Sequence, residues 1–176
     1  MGAHHVDQAE GTQMSSSNDT GDTPLSVCHF YRKVCDLPAV VDPPHMGRIV
    51  IRTGVVCGLM MPAFIGSEVK ARLGSLGQEA GPILTHPRSQ RWAFLTRTDY
   101  PDDIGLYAEM SRVQVSIIRG GGLIALPGPG QRRGLFRAWV QPPRNSFRPS
   151  GRVVIDAIRG CVVQHTSKRR GLVNYV

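Results

Sequence analysis

His86 stands beside Pro87, Arg88, Ser89 and Arg91, one imidazole and two guanidinium groups in a single short stretch. That composition suits contact with an anion. It suits acid–base catalysis only if a deep pocket sets His86 beside a carboxylate, and none is adjacent in sequence. The stretch reads as a loop between two strands, where functional side chains usually sit on a rigid frame. Asp102-Asp103 is the one adjacent carboxylate pair past residue 24. Two-metal chemistry wants carboxylates converging from separate positions, so this pair is expected to serve a helix N-terminus. Gly120-Gly121-Gly122 lacks the Lys-Ser/Thr and the following helix of a phosphate loop, and is expected to be a hairpin turn or bulge. Gly66-Ser67-Glu68 lacks the glycine pattern of a nucleophile elbow and reads as helix surface. His29, His45, His86 and His165 are scattered, His4-His5 lies in a polar stretch, and Cys28, Cys35, Cys57 and Cys161 form no CxxC pair. No catalytic residue, metal site or cofactor is therefore expected. The cysteines read as buried, reduced thiols of a cytoplasmic protein, with Cys28 and Cys35 on one face of a helix.

Charge gives a direction. Of the 13 Asp and Glu, four (Asp7, Glu10, Asp19, Asp22) lie in residues 1–24, which hold none of the 21 Lys and Arg. That stretch is rich in Gly, Ser, Thr, Asp and Gln and is expected to be a disordered acidic tail. From Gln131 onward, ten Lys and Arg face one acid, Asp156. A field of that sign attracts nucleic acid, anionic lipid or an acidic protein partner. No run approaches the ~20 apolar residues of a spanning helix, and the N-terminus lacks the basic start and apolar stretch of a secretory signal.

The elements that must position these residues follow from periodicity. Leu25–Cys35 reads as a helix stopped by Pro38. Arg48–Arg52 and Val55–Met61 read as a hairpin turning at Thr53-Gly54. Pro62 opens the clearest helix, with Phe64, Ile65, Val69, Leu73 and Leu76 at helical spacing and Gly77 at its end. Pro82–Leu84 and Arg91–Thr96 read as a second hairpin. Trp92 and Phe94 alternate there and point together towards the core or, flanked by Arg88, Arg91 and Arg97, form a stacking platform for bases; the core is favoured. Asp99 is expected to cap a helix from Pro101 to Met110. Val113–Ile118, Leu123–Leu126 and Leu135–Val140 read as strands. A last helix starts at Pro149-Ser150 and is expected to stop near Gly160. The result is an α+β fold: a largely antiparallel sheet with three to four helices, one domain over 25–163, and a basic, flexible segment over 164–176.

Within Gly81–Pro143 the order is Gly81-Pro82-Ile83-Leu84, His86-Pro87, Arg91-Trp92-Ala93-Phe94-Leu95, Ile124-Ala125-Leu126-Pro127-Gly128-Pro129 and Arg137-Ala138-Trp139-Val140-Gln141-Pro142-Pro143. This resembles the later part of the primase/polymerase-like domains of actinobacterial proteins. The resemblance implies a nucleic-acid partner. Active members carry two acids one residue apart on an apolar strand, plus a further acid and a histidine, whereas Arg48–Met61, the natural place for that strand, holds no carboxylate. The expectation is a non-catalytic protein binding nucleic acid, or a nucleoprotein partner, through Arg88, Arg91, Arg132, Arg133, Arg137, Arg144 and Arg148 by phosphate contact. The alternative is a regulatory or interaction module with an acidic protein partner, including the chain's own tail folding back.

Overall fold

The computed structural model describes residues 23–129 and 137–173, with side chains to residue 163 in the last helix. Four helices and two antiparallel sheets form one body. Helix α1 (Pro24–Lys33) begins with a reciprocal cap: Thr23 Oγ1 accepts from the Ser26 N–H at 3.1 Å, and Ser26 Oγ accepts from the Thr23 N–H at 3.0 Å. The expected tail thus ends at residue 22 or before; the rest of it lies outside the described residues. The helix ends before Cys35, so Cys28 and Cys35 do not share a helix face, although both are buried in one apolar cluster.

Strands β1 (Ala39–Val41), β2 (Ile49–Arg52), β3 (Val56–Pro62), β4 (Ile83–His86), β5 (Arg91–Arg97), β6 (Ser116–Ile118), β7 (Leu123–Leu126) and β8 (Ala138–Gln141) divide into two sheets, ordered β1-β2-β7 and β6-β3-β5-β4-β8. The five-stranded sheet is covered on both faces, and its alternation shows it. Cys57, Leu59, Met61, Ile83 and Phe94 point towards helices α2 (Ala63–Ser75), α3 (Ile104–Arg112) and α4 (Gly151–Val173). Val56, Leu84, Ala93 and Leu95 point the other way, onto Ile49, Ile51, Ile124 and Leu126 of the smaller sheet and onto Tyr31 of α1. Successive side chains of a strand face opposite ways, so a strand covered on both sides reads as a continuous apolar run.

That continuity hid the pairing. β2 and β3 are not a hairpin: β2 pairs with β1 and β7, and β3 with β5 and β6. Nor do the three glycines turn β6 back on β7. Both links are corners at which one antiparallel ribbon passes from sheet to sheet. The Thr53 N–H donates to Gly122 O at 2.8 Å and the Gly121 N–H to Thr53 O at 3.1 Å. Gly120 and Gly121 have φ of 65° and 87°, left-handed values that glycine takes without a Cβ penalty.

The expected β4–β5 hairpin is present, closed by a short 3-10 turn over Pro87–Ser89 and by Gln90 in the left-handed region. Helix α2 lies against it where Gly66 meets Trp92, and a Cβ at Gly66 would stand 2.9 Å from Trp92 Cε3. Gly66 is thus a packing position, whereas Ser67 is exposed on the helix as expected, and Trp92 and Phe94 belong to the core, not to a base platform. Asp103, not Asp99, caps α3, its Oδ2 accepting from the Leu106 N–H at 2.9 Å. Asp99 instead caps α4 across the fold, its Oδ1 accepting from the Gly151 N–H at 2.7 Å. Burial opposes ionisation of Asp99, yet hydrogen bonds from the Ser150 side chain and from the Arg152 and Gly151 N–H groups outweigh it and hold the carboxyl below the usual range. Helix α4 also runs through Gly160, where the sequence suggested a stop. A Cβ there would overlap the Arg72 guanidinium of α2, so this glycine serves helix–helix contact.

A candidate polyanion site at the end of the five-stranded sheet

His86 ends β4 and Arg91 opens β5, and the two face each other across the hairpin. β8 pairs with β4 so that Ala138 stands opposite Thr85, which brings Arg137 beside His86. Arg48, immediately before β2 of the other sheet, acts electrostatically on Arg137. Four cationic or protonatable groups from two sheets therefore meet at one end of the molecule.

Their local bonding separates the roles. Arg91 Nη2 donates to Met60 O and Gln114 O, both at 2.8 Å, tying β5 to β3 and to the chain between α3 and β6. Arg48 Nε donates to Asp42 O at 3.1 Å, which fixes the direction of its guanidinium. His86 Nε2 and Arg137 Nε are covered and have no hydrogen-bond partner. Buried polar nitrogens are nearly always paired, so two orphans in one cluster mark a place where stability has been yielded. Burial pushes the His86 pKa down, and Arg137 and Arg91 push it further. Burial likewise lowers that of Arg137, with Arg48 adding to the effect. Among the described residues, no carboxylate contributes to either shift. The charged groups acting on His86 among the described residues, Arg137 and Arg91, share the sign of an imidazolium and disfavour it.

The remaining expected residues are spread. Arg88 is exposed on the turn after His86. Arg144 lines a separate cleft of about 420 Å³ with Lys70, Glu79, Asn145 and Phe147. Arg148 is withdrawn from any surface role: Nη1 donates to Cys35 O at 3.0 Å and Asp36 O at 3.1 Å, and Nη2 lies 3.0 Å from Asp36 Oδ2. It pins the chain before α4 to the chain after α1. Arg132 and Arg133 lie outside the described residues. Arg48, absent from the expected set, joins it; its only signal in the sequence was a cation at a strand start.

Among the described residues, no three of His, Cys, Asp and Glu come close enough to hold a metal ion, and no helix is long and apolar enough to cross a membrane. All four cysteines are free and buried. Compared with family models, curated proteins and solved structures, the chain matches none of them.

Proposed function

We propose that the protein is a non-enzymatic, cytoplasmic nucleic-acid-binding module whose contact centre is Arg48, Arg137 and His86, with Arg88 and Arg91 beside them. The observation that carries this is the convergence of Arg48, His86, Arg91 and Arg137 from the approach to β2, from β4, from β5 and from the approach to β8, with no carboxylate among the described residues acting on His86 or Arg137. Arg48 and Arg137, which meet no counter-charge among the described residues, are suited to phosphate oxygens, to which guanidinium groups donate in pairs. The likeness of Gly81–Pro143 to primase/polymerase-like domains supports the same ligand class, and the acid-free β3 argues against phosphoryl transfer. Contact of this kind gives affinity without base reading.

Fluorescence anisotropy with single-stranded and duplex DNA and RNA over a salt series tests the reading. It expects binding at low salt whose logarithm falls linearly with the logarithm of salt, by about 0.7–0.9 per phosphate contacted. Binding of polyglutamate in place of every nucleic acid would turn the assignment towards an acidic protein partner, and binding of neither would end it.

A further inference from the structure

Gly47 immediately precedes Arg48 and has a φ of 60°; a Cβ there would stand 2.8 Å from Pro24 Cγ. The first turn of α1 is thus seated against the residue next to the cationic cluster. Gly128, which leads towards the segment carrying Arg132 and Arg133, approaches the same place, a Cβ on it standing 3.9 Å from Gly47 O. Residues 1–22 therefore join the body beside Arg48. They carry Asp7, Glu10, Asp19 and Asp22 and no Lys or Arg. An extended chain spans at most ~3.5 Å per residue, so Asp22 is held within ~7 Å of Pro24 and Asp19 within ~18 Å.

We infer that the Arg48–Arg137–His86 surface is a docking site for the acidic residues 1–22 of the same chain, which compete there with nucleic acid. The inference rests on the proposed polyanion-binding function of that surface. Three things favour this occupant. Its charge is opposite to the cluster's, its root lies at the cluster, and its covalent link makes the contact intramolecular, with an effective concentration set by the length of the link and not by the amount of a separate partner. The orphaned His86 Nε2 and Arg137 Nε belong to side chains that gain an acceptor when a carboxylate or a phosphate arrives. The tail thus acts as a built-in competitor: it lowers the apparent affinity for nucleic acid by the fraction of molecules in which the site is covered.

The test uses the full chain. A nitroxide on Ser16→Cys, with labelled and unlabelled protein mixed to separate contacts within a chain from contacts between chains, is expected to broaden the NMR signals of Arg48, His86 and Arg137. Single-stranded DNA should abolish the broadening. In parallel, the variant Asp7→Asn/Glu10→Gln/Asp19→Asn/Asp22→Asn should bind that DNA about threefold to tenfold more tightly at low salt, as expected if the tail covers most of the sites. Absence of broadening at the cluster, with DNA binding intact, overturns the docking and leaves the function standing. So does broadening seen only between chains. Broadening that persists in a protein binding no nucleic acid supports the docking and overturns the function on which competition depends.

Discussion

Around α3 and α4, arginines meet carboxylates. Arg159 donates from Nε to Glu109 Oε1 and from Nη2 to Glu109 Oε2, both at 2.7 Å, and from Nη1 to Asp156 Oδ1 at 2.9 Å. Arg119 lies 3.8 Å from Asp102 and over the Tyr100 ring, and Arg97 lies 3.7 Å from Asp99. The hydrogen bonds from Arg159 hold Glu109 below the usual carboxylate range. At the other end, where β4, β5 and the approach to β8 meet the start of β2, Arg48 and Arg91 donate to carbonyls and to the Ser116 hydroxyl, and His86 Nε2 and Arg137 Nε have no partner among the described residues. Of the nine acids beyond residue 24, five (Asp99, Asp102, Asp103, Glu109 and Asp156) lie on α3 and α4 or at their starts. Pairs as exposed as these contribute only ~0–1 kcal/mol each, so the difference bears less on total stability than on what each surface leaves available to a ligand.

If the paired region carries rigidity and the unpaired one carries binding, the two should come apart under mutation. The largest effect is expected at Gly151, where α4 starts against Tyr100 and a Cβ would press on the ring and stand 2.7 Å from Arg97 O. Gly151→Ala should cost about 2–3 kcal/mol, read as a fall in Tm of roughly 5–10 °C, with DNA affinity unchanged. Next is Arg48→Gln/Arg137→Gln. It should weaken DNA binding about tenfold at low salt and lower the salt slope by about 1.5, while Tm holds or rises because an uncompensated cationic cluster is relieved. Third, Arg159→Gln should lower Tm by an amount equivalent to about 0.5–1 kcal/mol, an effect that salt screens, and leave binding alone. A Tm loss from the second variant, or an affinity loss from the third, would erase the distinction between the regions.

The sequence made parts of this legible for physical reasons. α2 and the β4–β5 hairpin were readable because their partners are near in the chain and their punctuation, Pro62, Gly77 and Pro87, is explicit. The β2–β3 and β6–β7 corners were not, because their partners lie far along the chain and both faces of the strands are buried, so alternation carries no label for which sheet a strand joins. Asp99 looked like the cap of the nearest helix, and only the tertiary fold shows it capping α4. The site divides the same way. Arg91 and His86 could be placed together from the hairpin alone, whereas Arg137 joins them only through the pairing of β4 with β8, strands far apart in the chain. Arg48 arrives from the second sheet, and Arg148 is removed by Asp36 and two carbonyls at long sequence separation.

The smallest effect concerns protons on His86. Its folded-state pKa lies below the ordinary value because burial, Arg137 and Arg91 all disfavour the imidazolium. The unfolded chain therefore takes up the proton first. The stability that the neutral imidazole contributes is fully present above about pH 6.5 and is lost as pH falls below that towards the folded pKa. Urea unfolding at pH 7.5 and pH 5.5 should show a smaller loss in His86→Gln than in the parent chain. A phosphate at the cluster reverses the local field and raises the His86 pKa, so binding takes up a proton. DNA affinity of the parent should then rise from pH 7.5 to pH 5.5 more than that of His86→Gln, although stability falls over the same interval. Parallel slopes for the two proteins would place the phosphate away from His86 and confine the contact to the arginines.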